Sequence, residues 1–214
     1  MEEPNSPSSA GAGPAAVIAC WSCRGPVATS HLFCPTCEAV QPPGQRDPFA
    51  RLGIGVSFDV DVEALDQRYF ELQRVLHPDR FATKSAKERA LSQQQATSLN
   101  EAYEILKDPL KRADHMIHLL GIEVLPEGCN QLNDPVILME AMELREQLAG
   151  AESADTVEKI AVTTADDIED CEAGLALAFR GRDLDGACSL TTRLKYLRKL
   201  ADEVRAARAR IAGG

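Results

Sequence analysis

Aromatic residues are scarce in this chain of 214: one Trp, three Tyr and six Phe, 5% of the whole. Any core must therefore be built mainly from Leu, Ile, Val and Ala. Long apolar runs are missing too. The longest, Ala15 to Trp21, covers 7 residues, against the roughly 20 that a bilayer-crossing helix requires, so a membrane span is excluded. Positive charge is in deficit. Lys and Arg number 23 against 33 Asp and Glu, a formal net charge of −10, which argues against a general affinity for phosphate backbones. The start, Met1-Glu2-Glu3-Pro4, has neither an apolar signal core nor an arginine-rich stretch, and fits neither a secretory signal nor a mitochondrial presequence. No nucleophile elbow, P-loop, dinucleotide fingerprint or H-E-x-x-H helix occurs, so none of the corresponding enzyme classes is indicated.

Proline is unevenly spread. Eight of the 12 fall in the first 48 residues, and the other four stand at 78, 109, 126 and 135, where helices can begin or end. Residues 1–19 read as disordered, and Gln41-Pro42-Pro43-Gly44 reads as a linker. Beyond about residue 49 helical periodicity dominates. Asp61 is a candidate N-cap, with Val60 and Leu65 placed as a hydrophobic staple. Leu65, Tyr69, Leu72 and Leu76 then share one face, until Pro78 stops the helix. Ser85 and Glu88 form a capping-box pair, ahead of a stripe at Leu91, Gln95, Leu99, Ala102 and Leu106. Two antiparallel helices joined around His77-Pro78-Asp79 are expected.

A short helix from about Leu110 to Leu120 should follow. Asp134-Pro135 then opens a further helix ending near Gly150. Two long segments, about Asp155–Phe179 and Ala187–Arg208, carry apolar stripes at alternating spacings of three and four. The three together make a small bundle. Charge is divided within it: residues 134–172 carry 12 acidic and 2 basic side chains, while 173–214 carry 4 acidic and 9 basic. Antiparallel helices that complement each other explain this, and so does an acidic surface facing a basic partner.

Four of the seven cysteines form two pairs, Cys20-Trp-Ser-Cys23 and Cys34-Pro-Thr-Cys37. Two-residue spacing lets both thiolates of a pair reach one ion, and two such knuckles complete a tetrahedron around one Zn²⁺. Four sulfur ligands leave no open position, so the site should be structural and supply much of the local folding energy. The pattern points to a reducing compartment rather than a disulfide framework. His31 is a loop histidine rather than a ligand. A nucleic-acid-binding ribbon is the competing reading, weakened because residues 1–50 hold only Arg24 and Arg46 as basic groups. Cys171 and Cys188 read as core fillers, Cys129 has no partner spacing, and His115 with His118 lacks a third ligand.

His77-Pro78-Asp79 stands between Tyr69-Phe70-Glu71-Leu72 and Asn100-Glu101-Ala102-Tyr103, with Asp47-Pro48-Phe49-Ala50-Arg51-Leu52-Gly53 before it and Leu106-Lys107-Asp108-Pro109-Leu110-Lys111-Arg112-Ala113 after it. In these stretches the chain resembles the J-domain of Hsp70 co-chaperones. The resemblance implies that His77, Pro78 and Asp79 are essential for engaging the ATPase domain of an Hsp70 and stimulating its ATP hydrolysis, with Arg68 and Arg74 as flanking contacts. Glu63, Asp66 and Glu71 dilute the basic field of that helix.

The segment Asp134 to Leu148 and the run Leu194-Lys-Tyr-Leu-Arg-Lys-Leu200 resemble the HscB (Jac1) co-chaperones of iron–sulfur cluster assembly, over residues 47–210. The N-terminal knuckle looks like the version in animal mitochondrial members and some bacteria. The helical wheel puts Ile137, Ala141, Leu144 and Leu148 on a core stripe and turns Met139 and Met142 away from it. The resemblance implies that Leu138, Met139, Met142, Glu143 and Glu146, with Tyr196, hold an IscU-type scaffold. A following acidic contact would fall near Gly150, which has no carboxylate. The competing explanation for the exposed methionines is that the short helix near 110–120 packs on them.

The expected architecture is all-α: a four-cysteine zinc knuckle (20–40), a linker (41–46), a J-domain hairpin (47–120), a second linker (121–133) and a three-helix bundle (134–214). The implied partners are a specialised, HscA-like Hsp70 and the IscU-type scaffold, with at most weak self-association, no nucleic acid and no membrane. A J-domain co-chaperone with a different client is the runner-up. The acidic start favours a bacterial cytoplasm, with the mitochondrial matrix the alternative for a eukaryotic chain.

Overall fold

A computed structural model describes residues 16–121, 135–151 and 153–212, leaving aside the side chains of residues 136–138, 141 and 212. The architecture is helical apart from one small sheet, in which β1 (Val17–Ala19) pairs antiparallel with β2 (Pro26–Ala28), Ile18 opposite Val27. Two compact units divide the chain. One comprises the described residues up to Gly53 with Gln67–Ala102, and the other Ile54–Asp66 with the chain from Tyr103 onward.

In the first unit, helix α1 (Pro48–Leu52) starts on the Asp47 carboxylate, which accepts the Ala50 N–H, and stops at Gly53 in the left-handed region (φ 70°). Helix α2 (Val62–Leu76) gives way to a 3-10 turn, Pro78–Phe81, and helix α3 (Ala86–Lys107) returns. Ser85 and Glu88 exchange the two bonds of a capping box, as expected. The return is antiparallel: Ser92 Oγ donates to the Leu76 carbonyl (2.8 Å) and Tyr69 OH to Asn100 Oδ1 (2.9 Å). Leu72, Leu76, Phe81, Leu91 and Leu99 are buried.

The Gln41–Arg46 segment is not a free tether. Gln41 is buried, and its carbonyl accepts from Nε2 of Gln95 (2.8 Å), itself 1% exposed. Arg46 donates to the Ser30 carbonyl and Arg51 to that of Gly44. Lys87 of α3 sits 4.5 Å above the Trp21 ring, whose Nε1 donates to the Val40 carbonyl. Periodicity placed Gln95 on the buried face of α3, and there it lies. Polar Gln95 holds a core position because it satisfies backbone from the cysteine segment.

In the second unit, Asp61 caps α2 through the N–H groups of Glu63 and Ala64, and Leu65 is buried. Helix α4 (Pro109–Gly121) begins on Asp108, and α5 (Pro135–Ala149), α6 (Ala154–Gly181) and α7 (Leu184–Ala212) form the bundle. Leu148, Val157, Ile160, Leu200, Val204 and Ala207 are one core cluster, with Leu144 packed at its edge. The α6–α7 turn uses Arg182 in the left-handed region (φ 56°), followed by Asp183 as the cap of α7. A Cβ on Gly186 would lie 2.2 Å from that carboxylate, so only glycine leaves the cap in place.

The loop before α2 is packed into the bundle. Phe58 stacks on Phe179 (5.4 Å between centroids), Arg112 lies 4.8 Å over the Phe58 ring, and Arg180 pairs with Asp59 at 2.8 Å. Burying such a ring contributes about 1.5–3 kcal/mol. Helix α4 packs on α7, where Arg198 reaches Asp108 (2.5 Å) and Glu172 (3.5 Å). Residues 54–66 and 103–121, assigned from sequence to a separate hairpin domain, thus share a compact unit with the bundle helices. Cys171 is buried as expected and donates to the Leu190 carbonyl. Cys188 is also fully buried, but it is disulfide-bonded rather than a simple filler. Cys129 lies outside the described residues.

Candidate functional site

Three sites can be built from the residues upward. The first is the turn after α2. Pro78 cannot extend the helix, so His77 takes an extended conformation and becomes the cap of the 3-10 turn. The Asp79 N–H donates to His77 Nδ1 (3.3 Å), which locks the imidazole over the turn. Asp79 Oδ2 is 3.5 Å from the same nitrogen, yet its side chain is 91% exposed. Buried Phe81 and the Ser92 bond to the Leu76 carbonyl fasten the turn from beneath. The result is a rigid tip presenting an imidazole and a carboxylate to solvent.

Arg74 belongs to this tip. It lines one shallow concavity with Phe70, Gln73, His77 and Arg80. Arg68 does not. Its Nε donates to the Leu52 carbonyl and its guanidinium pairs with Glu71 (3.3 Å), so it fastens α1 to α2. Arg80 and Phe70 take part without having been singled out. Arg80 was detectable as the basic residue directly after Asp79, and Phe70 as an aromatic opposite the Leu72 stripe. The acidic residues thought to weaken the helix are largely engaged: Glu71 by Arg68, and Asp66 by Lys107 (3.1 Å) and Tyr103 (2.8 Å). The Tyr103 hydroxyl and Lys107 hold the Asp66 carboxyl below its ordinary range.

The second site is the cysteine cluster. All four sulfurs lie within 4.8 Å of one another. Cys20 and Cys37 are 3.8 Å apart, Cys23 and Cys34 3.7 Å. A tetrahedron with metal–sulfur bonds of about 2.3 Å has edges of about 3.8 Å, so the donor set fits an ion of that size. The knuckles repeat one backbone pattern. Arg24 N–H bonds to the Cys20 carbonyl and Glu38 N–H to that of Cys34, with both residues left-handed (φ 65° and 59°). N–H groups of Ser22, Gly25 and Thr36 point at Cys20, Cys23 and Cys34, and Gln41 Nε2 adds a contact to Cys20 Sγ at 3.5 Å. A metal ligates the thiolate, and N–H donors aimed at the sulfurs favour that form. His31 stands exposed and outside the group. Among the described residues no other His, Cys, Asp or Glu cluster is placed to share an ion.

The third site is the outer face of α5. Met139 and Met142 are 62% and 60% exposed, while Leu148 is buried and Leu144 half-buried. The wheel reading of those four positions agrees with their placement. Helix α4 packs on α7, and the two methionines remain open. Glu143 and Glu146 are exposed beside them. The side chains of Ile137, Leu138 and Ala141 lie outside the description. Tyr196 is half-buried and lines a small apolar pocket with Leu144, Leu197 and Leu200, rimmed by Glu140, Arg145 and Arg193. Arg145 pairs with Glu203 (3.1 Å) and Arg193 with Glu140 (3.5 Å). The split charge of the bundle is thus partly intramolecular.

A helical hairpin with an exposed His-Pro-Asp tip defines the J-domain class of co-chaperones. Family models agree: the DnaJ domain matches residues 47–115 and the HSCB C-terminal oligomerisation domain residues 133–205. The chain is 36% identical to the mouse iron-sulfur cluster co-chaperone protein HscB, a match covering 92% of this chain and 86% of the relative. It is 37% identical to the HscB homolog of Pseudoalteromonas atlantica, over 73% of this chain and 93% of the relative. The crystal structure of human HscB superimposes with a TM-score of 0.80 at 32% identity, covering 87% of this chain and 96% of that one. The chain belongs to the HscB family of iron–sulfur cluster co-chaperones. The mouse match is too long to leave out the cysteine segment, whereas the bacterial one leaves more than a quarter of this chain unmatched.

Proposed function

We propose that this chain is an adaptor that brings an IscU-type scaffold to a specialised, HscA-like Hsp70 and stimulates that chaperone's ATPase. The observation that carries the reading is the His77-Pro78-Asp79 tip: locked by an internal bond, fastened from beneath and presented to solvent. A fixed, exposed carboxylate is an acceptor for a cationic donor on the partner, and charge-assisted bonds of this kind are directional. The ATP and the hydrolytic chemistry belong to the Hsp70. This chain supplies position, because holding client and chaperone together raises their local concentration.

The client face is α5, with Leu138, Met139 and Met142 as its apolar centre, Glu143 and Glu146 as its rim, and Tyr196 alongside. Exposed methionines support this, since their flexible thioethers adapt to a partner surface. The cysteine cluster holds one structural Zn²⁺, which Cys20, Cys23, Cys34 and Cys37 would bind as thiolates. Sulfur spacing and the N–H groups aimed at the sulfurs support that assignment. When bound, the ion cross-links two knuckles whose own core is small, with Cys20, Val27 and Cys34 as its cluster and Ala39 and Val40 buried near by in the chain.

The decisive test is His77→Gln. It should abolish stimulation of the Hsp70 ATPase in a steady-state assay while shifting the melting temperature little, because the imidazole is half exposed and stands outside the buried core. Stimulation within about twofold of wild type would remove the J-domain reading.

A further inference from the structure

Phe70 is out of place by packing logic. It lies on the solvent face of α2, 55% exposed, although aromatics are the scarcest apolar resource of this chain. With Gln73, Arg74 and His77 it forms an i, i+3, i+4, i+7 stripe that runs onto Arg80, and these five residues line one concavity. The platform beneath is fixed. The Phe70 ring rests 5.3 Å from the Tyr69 ring, Tyr69 OH is bonded to Asn100, and Gln73 Nε2 donates to that same hydroxyl (2.7 Å). Held aromatic rings lose little freedom on docking, which is why they anchor interfaces. Two cations border the ring. Arg74 and Arg80 flank it, and the nearest acid along the helix, Glu71, is turned to Arg68.

We infer that Phe70 is an apolar anchor of the Hsp70-docking face, seating an aliphatic side chain of the chaperone that is bordered by carboxylates for Arg74 and Arg80. The inference rests on the J-domain reading above and deepens it. The occupant follows from continuity with the His-Pro-Asp tip, two residues of whose concavity it shares, and from charge complementarity. Binding is then divided between a salt-insensitive centre at Phe70 and a salt-sensitive rim. A helix read from sequence as weakly basic docks through this apolar centre.

The test is a titration of Hsp70 ATPase stimulation by full-length protein at several salt concentrations. Phe70→Ala should raise the half-stimulating concentration about tenfold, keep the maximal rate, and do so by the same factor at low and high salt. Arg74→Ala should lose affinity mainly at low salt. Phe70→Met should recover most of the loss, and melting temperatures should stay at the wild-type value. An unchanged half-stimulating concentration for Phe70→Ala, or a loss that fades as salt rises, overturns the inference. His77→Gln separates the two levels. If it stimulates normally, the Hsp70 reading itself fails. If it abolishes stimulation while Phe70→Ala behaves as wild type, only the anchor is lost.

Discussion

Taking the metal from the cysteine cluster should loosen helix α3, some distance along the chain. The 39–41 segment is tied to the knuckle itself, through Cys34 N–H to the Ala39 carbonyl, Gln41 N–H to the Leu32 carbonyl and Trp21 Nε1 to the Val40 carbonyl, so a knuckle loosened by loss of the ion loosens it too. Gln41 is joined at both ends: its side chain donates to Cys20 Sγ and its carbonyl accepts from Gln95. If that carbonyl moves away, the Gln95 amide is stranded at a site only 1% exposed. A buried donor without a partner costs about 1–3 kcal/mol. The Lys87 contact over Trp21 adds about 0.5–1 kcal/mol at an exposed site. A loss of about 2 kcal/mol in local stability corresponds to roughly thirtyfold faster exchange of α3 amides. Hydrogen exchange on metal-loaded and chelator-stripped protein, read at residues 91–99, measures it. Gln95→Leu should uncouple the two parts: it removes the stranded amide, so its α3 protection should hardly respond to the metal. Unchanged α3 protection in stripped wild type, with knuckle amides exchanging freely, would refute the reasoning and make the knuckle an independent appendage.

Three further outcomes are expected. Met139→Ala with Met142→Ala should weaken scaffold binding at least about tenfold, roughly 1.4 kcal/mol, at nearly constant melting temperature. Leu148→Ala should instead cost about 2–5 kcal/mol of stability, and calorimetry with thermal melts distinguishes them. Glu38→Gly relieves a left-handed residue at φ 59° and should stabilise the metal-bound knuckle by about 1 kcal/mol, seen as slower metal extraction by chelator. Burial raises the Asp108 carboxyl, but the Lys111 N–H and Arg198 outweigh it and hold the pKa below its ordinary value. Its contribution is therefore complete above the unfolded value of about 3.9 and disappears as pH falls through the lowered one. The melting advantage of wild type over Asp108→Asn, which keeps a capping side chain, should be constant near neutrality and vanish in acid.

What could be read from sequence was local. Asp61, Ser85 with Glu88, and Pro78 announce helix ends because capping and ring closure act within a few residues. The outward turn of Met139 and Met142 follows from wheel position alone, since the helix period fixes relative direction. What escaped was long-range. Gln95 looks like an error in an apolar stripe until the Gln41 carbonyl is beside it. Arg68 looks like a free cation until the Leu52 carbonyl and Glu71 claim it. Nothing in Gly53 to Val60 signals that Phe58 will be covered by Arg112 and Phe179, because periodicity identifies faces without saying which faces meet. The charge contrast between 134–172 and 173–214 was legible, and its intramolecular part is realised in the Arg193–Asp167, Arg198–Glu172 and Arg208–Glu158 pairs.

The stacking of Phe58 on Phe179 bears on where this protein can be cut. A fragment trimmed to the span of the DnaJ-domain match, residues 47–115, would keep the ring and Arg112 but discard Phe179, the ring that stacks on it. It would also end inside α4, before Met116 and Ile117, which are buried on a helix that packs against α7. The stretch recognisable as a module and the compact unit that holds Phe58 do not coincide along the chain, one beginning at Asp47, the other at Ile54. A shortened hairpin prepared to study chaperone stimulation alone would present a raw hydrophobic edge, and its self-adhesion would be an artefact of the scissors rather than a property of the protein.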